Sequence, residues 1–93
     1  MNKKRNRLSI MQDILLFISE KKGLAKPTNI LYKSNLSYQM LTEYLTELIS
    51  KGMIKEINSP DKKRTYSITE RGINFLRDYK VIQKFMESYG FDE

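Results

Sequence analysis

The first apolar stripe in the chain has the spacing of an α-helix. Leu8, Met11, Leu15 and Ile18 recur at intervals of three and four residues, which is the period of one buried helical face. Ser9 and Gln12 have the spacing of a capping box and predict where this helix begins. Lys21, Lys22 and Gly23 predict where it ends.

Two more helices are predicted after Pro27. Thr28 is the predicted N-cap of a short helix over residues 29–33, and Ser37 that of a longer helix from Tyr38 to about Lys51. Because a tight turn separates them, they predict a helix-turn-helix. The buried stripe of the longer helix is predicted to be Leu41, Leu45, Leu48 and Ile49, and its free face Tyr38, Gln39, Thr42, Glu43, Thr46 and Glu47.

Two short segments with strand-like composition, residues 53–57 and 65–68, follow this helix. Pro60 and Asp61 in the seven residues between them favour a turn, so the segments predict a β-hairpin. Lys62, Lys63 and Arg64 at its tip are too polar to pack inside and are expected to project outward. A basic hairpin after a helix-turn-helix predicts a wing.

The last apolar pattern predicts a helix that Thr69 caps and that continues to about residue 89. Ile73 and Leu76 are expected to pack on the rest of the domain. A series spaced by four and three residues follows the pattern of a coiled-coil seam, with Phe85 widening the stripe; its members are Phe75, Tyr79, Ile82, Met86 and Tyr89. We expect this seam to hold a second copy of the chain, the alternative being that it packs on the first helix of the same chain.

Charge divides the chain into the same two parts. The 93 residues carry 17 Lys and Arg against 11 Asp and Glu, a net charge of +6. Residues 1–72 have fourteen cations and seven anions, a net +7, whereas residues 73–93 have three and four, a net −1. The predicted division is therefore a DNA-binding head with a basic N-terminal arm (1–72) and a dimerisation helix (73–93).

Composition also excludes several functions. The chain has no Cys and no His, which excludes disulfides, thiolate nucleophiles, Cys/His zinc sites and histidine acid–base catalysis. We predict no enzymatic activity, cofactor, metal or small-molecule ligand. Because no run of about 18 apolar residues exists, we expect no membrane association and a cytoplasmic, nucleoid-associated protein.

The candidate DNA contacts lie on the helix-turn-helix and the wing. They are Lys26, Thr28, Lys33, Asn35, Ser37, Tyr38, Gln39, Thr42, Lys62, Lys63 and Arg64. The cations are candidates for phosphate contacts, while Gln39 suits an adenine edge and Thr42 a thymine methyl group. The alternative for each is ordinary solvated surface, and capping alone accounts for Ser37. Tyr32, Tyr44 and Tyr66 are expected at the edge of the core with the hydroxyl group in water, the alternative being that they stack on bases.

The order of these elements resembles the archaeal winged-helix DNA-binding proteins, including small chromatin-associated and viral members. Three stretches carry the resemblance, residues 25–32, residues 35–41 with 48–54, and residues 66–72. It implies a mainly α fold with a small β-hairpin (α+β), the second helix of the pair in the major groove, and homodimers through an antiparallel C-terminal coiled coil. Glu43 and Glu47 depart from the pattern, because they would repel phosphates, although Glu accepts a hydrogen bond from the cytosine amino group.

We therefore predict a homodimeric winged-helix protein that binds double-stranded DNA, as a transcription regulator or a chromatin protein. The alternative is a protein-interaction module that uses the winged head and the last helix without binding DNA. Salt dependence separates the two, because phosphate contacts release counterions and protein contacts do not.

Overall fold

The computed structural model of the protein describes residues 6–61 and 63–91. The elements, in chain order, are α1 (Arg7–Glu20), α2 (Pro27–Ser34), α3 (Tyr38–Ser50), β1 (Ile54–Asn58), β2 (Arg64–Ile68) and α4 (Glu70–Ser88). The fold is mainly helical with one antiparallel hairpin, a winged helix with a long C-terminal helix. The predicted fold class is confirmed.

Helix α1 begins earlier than the sequence predicted. The Oδ1 atom of Asn6 accepts a hydrogen bond from the Ser9 backbone N at 2.8 Å, so Asn6 is the N-cap. The Ser9 hydroxyl lies inside the first turn and donates to the Asn6 carbonyl at 3.0 Å. The predicted cap at Ser9 is therefore wrong. The predicted end is confirmed, since Lys22 and Gly23 adopt the left-handed conformation there.

Helix α2 also begins earlier than predicted, at Pro27. Proline suits the first helical position because the backbone N–H that it lacks would have no partner there. Thr28 consequently lies inside the first turn, and its predicted role as N-cap is wrong; Lys26 occupies the cap position without a side-chain hydrogen bond. The helix ends at Asn35, whose φ of 57° lies in the left-handed region that asparagine tolerates.

Ser37 begins α3 as predicted. Its hydroxyl oxygen accepts a hydrogen bond from the Met40 backbone N at 3.1 Å. Leu41, Leu45 and Leu48 are buried, but Ile49 is 41% exposed, so its predicted place in the buried stripe is wrong. One residue along a helix is a turn of about 100°, which carries Ile49 away from the core that Leu48 occupies.

The hairpin is joined to the body of the domain by a third short segment. β1 and β2 pair antiparallel, with Ile54 opposite Ile68 and Asn58 opposite Arg64. On the other side of β2, Ala25 forms a bridge with Tyr66, whose backbone N donates to the Ala25 carbonyl at 2.9 Å. The wing therefore has a fixed position beside the start of α2.

The hydrophobic core draws on the helices and the hairpin alike. Its fully buried members include Ile14, Leu15, Ile18, Ile30, Leu41 and Leu48. Phe75 and Leu76 pack against this cluster from α4, as expected for Leu76, whereas Ile73 is 50% exposed and does not pack back as predicted. The core thus holds the first half of α4 against α1 and the wing.

One residue joins α4 to the hairpin and to the end of α3. The Thr69 hydroxyl accepts from the Gly72 backbone N at 3.1 Å and donates to the Gly52 carbonyl at 2.6 Å. The predicted cap at Thr69 is confirmed, and the same hydroxyl also links the start of α4 to the turn after α3.

Further along α4, the Gln12 side-chain amide of α1 donates a hydrogen bond to the Gln83 side chain at 3.2 Å.

The outer half of α4 is exposed. Ile82, Phe85, Met86 and Tyr89 all have exposed side chains, while Tyr79 is partly buried and stacks on Phe75 at 5.8 Å between ring centroids. The inner part of the predicted seam thus packs on its own chain, and the outer part does not.

Candidate nucleic-acid interface

The free face of α3 is open to solvent in the part nearest its N-terminus. Tyr38, Gln39 and Thr42 are all exposed, and Thr46 continues the same face. The face has this orientation because the leucines on the opposite side of the helix are buried. The structure therefore presents the three predicted base-reading side chains on one surface, which we call the reading face (Tyr38, Gln39, Thr42, Glu43 and Thr46).

Two hydroxyl groups near the reading face already have backbone partners. Thr42 Oγ1 donates to the Tyr38 carbonyl at 2.9 Å, and Ser37 Oγ accepts from the Met40 backbone N. The Thr42 methyl group stays available for apolar contact, which is the contact predicted for it. Ser37 retains a proton to donate, so capping does not prevent it from meeting a phosphate oxygen.

The wing contacts α3 through β1. Arg64 Nη1 lies 3.1 Å from the Glu56 carboxylate on the neighbouring strand. Burial raises the pKa of Tyr66; Glu56 and Tyr38 raise it further, and Arg64 opposes the shift. These interactions place Tyr38 of α3 and Arg64 of the wing around the same tyrosine, so the structure brings the two predicted contacts together.

The tip of the wing is closed by its own hydrogen bonds. The Ser59 backbone N donates to the Lys63 carbonyl at 3.2 Å, and the Lys63 backbone N donates to Asp61 Oδ1 at 3.3 Å. Hydrogen bonds from the Ser59 hydroxyl and from Lys63 lower the pKa of Asp61. The Lys63 ammonium group is exposed, 4.0 Å from that carboxylate. The predicted contact Lys62 lies outside the described residues.

Lys26 is on the same side of the molecule as the wing tip. It follows the bridge between Ala25 and Tyr66 and is exposed. Its charge contributes, after the hydrogen bonds of the wing tip, to the lowered pKa of Asp61. Thr28 lies two residues further on, in the first turn of α2. We call these three cations on the wing and beside it, Lys26, Lys63 and Arg64, the cationic border.

Lys33 and Asn35 lie at the other end of α2, about 10 Å along the helix from Lys26. Lys33 lines a cavity of about 280 Å³ between α1 and α2, whose lining also includes the carboxylates of Asp13 and Glu20. Asn35 is exposed at the turn. The structure does not bring these two residues together with the wing cations.

The sequence itself matches a known family over residues 4–87, the winged helix-turn-helix family. The chain belongs to this family. No curated protein sequence matches the chain.

Several solved structures superpose on most of the chain. Sso10a-2, a DNA-binding protein from Sulfolobus solfataricus, is 26% identical, with a TM-score of 0.76 over 91% of this chain and 85% of its own. MepR, a transcription regulator of a Staphylococcus aureus efflux pump, is 17% identical, with a TM-score of 0.73 over 86% of this chain and 60% of its own. ZitR from Lactococcus lactis is 19% identical, with a TM-score of 0.70 over 96% of this chain and 62% of its own. The chain thus spans about three fifths of MepR and ZitR.

Sequence reasoning missed a cluster of charged side chains between the start of α1 and the C-terminal half of α3. Arg7 Nη2 forms an ion pair with Glu47 Oε1, and Lys51 Nζ lies 3.7 Å from Glu47 Oε2. The Arg7 guanidinium also lies over the Tyr44 ring, 5.8 Å from its centroid. The spacing of Glu47 and Lys51 is visible in the sequence, but nothing there places Arg7 against α3. The rest of the predicted basic arm, residues 1–5, lies outside the described residues.

The tyrosines expected at the core edge have three different environments. Tyr66 is buried and Tyr44 is partly covered by Arg7, but Tyr32 is 88% exposed, contrary to expectation.

Among residues 6–61 and 63–91, no helix is long and apolar enough to cross a membrane. In the same residues, no three His, Cys, Asp or Glu side chains are grouped as metal ligands.

Proposed function

We propose that the protein is a homodimer that binds double-stranded DNA through its winged head and acts as a regulator or an architectural protein without enzymatic activity. The observation that carries the proposal is the reading face of α3, exposed beside the cations of the wing and Lys26. Membership of the winged helix-turn-helix family supports it, as do Sso10a-2, which is named a DNA-binding protein, and a structure of MepR with DNA.

The cationic border supplies affinity. Lys26 and Lys63 are exposed and can approach phosphate oxygens, and their counterion release gives binding that is independent of sequence. Arg64 has a different part, because its guanidinium is held 3.1 Å from Glu56. We infer that it contacts a phosphate where α3 and the wing meet, with its direction fixed by the ion pair.

The reading face supplies base recognition. With α3 in the major groove, the first turns of the helix reach the base edges. The Gln39 amide can pair with an adenine edge, and the Thr42 methyl group can pack on thymine. Tyr38 begins this face in the first turn of α3 and acts on Tyr66 of the wing, so we place it close to where the backbone of the DNA passes.

A second copy of the chain is the occupant we propose for the outer half of α4. Ile82, Phe85 and Tyr89 are spaced by three and four residues and are exposed together, which is the pattern of a helix–helix seam. Asp78 lies on the same stripe, four residues before Ile82. In a parallel pair in register each Asp78 would face its own copy, and like charges repel, so the stripe favours an antiparallel pair.

The experiment for DNA binding is a salt series on mixed-sequence duplexes and on fragments from upstream of the gene. We expect log affinity to fall with log salt by about 0.9 for each phosphate neutralised. Lys26→Ala and Lys63→Ala should each lower this slope by about 1 and weaken all sequences alike. Lys80→Ala is the matched control, because Lys80 is an exposed lysine on α4 and belongs neither to the reading face nor to the cationic border.

The outcome also separates the roles. A preference for upstream fragments indicates a regulator, and strong binding without preference indicates an architectural, nucleoid-associated protein. If the intact protein binds no duplex at low salt, the proposal is wrong and the protein-interaction alternative takes its place. If Lys80→Ala changes the slope as much as Lys26→Ala and Lys63→Ala do, the cationic border is not the phosphate contact.

The experiment for the dimer is sedimentation of Ile82→Asp at micromolar concentration. A charge in the seam should leave only monomers, because neither copy can pair or hydrate it there. Ile73→Asp is the matched control, since Ile73 has a similar exposure, 50% against 54%, on another side of the same helix. A dimer in Ile82→Asp, or a monomer in the unchanged protein, would contradict the proposed seam.

A further inference from the structure

The helix that we place in the major groove carries no cation. Between Tyr38 and Ser50 the only charged side chains are Glu43 and Glu47, one helical turn apart. Two carboxylates on one groove-facing helix would repel the phosphates on both sides. The structure shows that these two carboxylates have different surroundings, which changes what each can do.

Glu47 is compensated by its neighbours. Arg7 of α1 and Lys51 at the end of α3 both approach its carboxylate, and the side chain is only 23% exposed. The Arg7 guanidinium is in turn placed over the Tyr44 ring. Two cations around one carboxylate remove most of its field at the DNA, and they turn Glu47 towards α1.

Glu43 has no such compensation. It is exposed, and within the described residues no Lys or Arg nitrogen comes within 4.0 Å of its carboxylate. It follows Thr42 directly and lies one turn after Gln39, so it occupies the middle of the reading face. A carboxylate there can only accept hydrogen bonds at neutral pH.

We propose that Glu43 is a specificity-determining residue that selects cytosine. In the major groove the amino donors are cytosine N4 and adenine N6. Adenine also presents its N7 acceptor beside the amino group, where it would face the second carboxylate oxygen, so a Glu carboxylate matches cytosine better. A thymine or guanine at the same position offers an acceptor oxygen instead. The Glu43 carboxylate would then lose its hydrating water without gaining a hydrogen bond, and it would face another electronegative atom. This inference rests on the proposed DNA binding and names the base that the site reads.

Arg7 has a positioning part in the same scheme. By holding Glu47 aside, it leaves a single uncompensated carboxylate on α3. Removing Arg7 is therefore expected to expose a second repulsive charge as well as to remove a cation. The two effects can be separated, because the first one disappears when Glu47 is neutral.

The first test selects duplexes from a pool with randomised positions and compares the protein with Glu43→Gln and Glu43→Ala. The unchanged protein should prefer cytosine at one position by about tenfold, and Glu43→Ala should lose that preference. Both variants should bind mixed-sequence DNA several-fold more tightly. Glu20→Gln, which changes the net charge equally at an exposed position on α1, is the matched control and should keep the preference.

The second test is a double-mutant cycle on Arg7→Gln and Glu47→Gln, read as affinity for mixed-sequence DNA. We expect Arg7→Gln to weaken binding more in the presence of Glu47 than in the Glu47→Gln background. Equal losses in both backgrounds would overturn the positioning part.

The outcomes keep this inference apart from the proposed function. Binding without any cytosine preference in the unchanged protein, or a preference that survives Glu43→Ala, overturns the assignment to Glu43 and leaves DNA binding intact. Failure of the unchanged protein to bind any duplex at low salt overturns the proposed function itself.

Discussion

The close approach of α4 to the hairpin leads to a prediction about Gly72. This glycine is the third residue of α4 and is buried. A Cβ atom built on it would overlap the Met53 carbonyl oxygen and would lie 2.7 Å from Ile68 Cγ1. The Met53 oxygen is itself fixed, because it accepts a hydrogen bond from the Thr69 backbone N at 3.0 Å. Gly72→Ala therefore forces backbone, and not merely a side chain, to move.

The magnitude is set by two opposing effects. In an unobstructed helix, alanine is more favourable than glycine by about 1 kcal/mol. Overpacking a close contact costs about 1–3 kcal/mol, and a backbone obstacle indicates the upper end. We expect Gly72→Ala to lower the free energy of unfolding by about 2 kcal/mol. In a domain of this size that corresponds to a fall in Tm of about 8–16 °C.

The assay is thermal unfolding followed by circular dichroism at a single protein concentration, since the proposed dimerisation would make Tm depend on concentration. Gly90→Ala is the control, because within residues 6–61 and 63–91 only its two chain neighbours can lie within 4 Å of the Cβ position at Gly90, beyond the end of α4. We expect that control to change Tm little, its strain being confined to the end of the chain. A Tm for Gly72→Ala equal to or above that of the unchanged protein would refute the reasoning.

Two further predictions concern the same junction and the wing. Thr69→Ala loses both the cap of α4 and the hydrogen bond to Gly52, so the free energy of unfolding, measured with urea, should fall by about 1–2 kcal/mol. Thr69→Ser keeps the hydroxyl group and should retain most of that stability. Burial raises the pKa of Tyr66, so the folded state holds the phenol proton more tightly than the unfolded chain. Stability from this source is complete below a pH of about 10 and is lost as the pH rises further. Unfolding measured from about pH 8 to 11 should therefore show a steeper fall than in Tyr66→Phe, and parallel curves would contradict it.

The periodic pattern of apolar residues was sufficient to predict the elements and their order. The first residue of each helix was harder to predict, because more than one polar residue near each start has a side chain that can act as an N-cap. Asn6 and Ser9 are both good N-cap types, and only the backbone path decides that the first one caps α1. At α2, Pro27 takes the first helical position and leaves Thr28 no cap to make.

The candidate site was predictable where a residue's role depends on local pattern alone. Tyr38 and Gln39 are exposed because the opposite face of their own helix is apolar, and this periodicity is in the sequence. The pairing of Arg7 with Glu47 joins residues forty positions apart, and no local pattern predicts it. The same holds for Phe75, which has seam spacing but packs on its own core.

Helix α4 is continuous from the Thr69 cap to Ser88, and this constrains how the length of the chain can vary in evolution. Each added residue lengthens a helix by about 1.5 Å and rotates the remainder of the helix by about 100°. A single insertion between Leu76 and Ile82 would therefore turn the exposed stripe towards a different side of the head. Seven added residues would return it to within about 20° of its original direction, some 10 Å further out. Relatives that keep the proposed pairing should consequently differ in this helix by whole heptads, each step giving a new distance between the two heads of the proposed dimer.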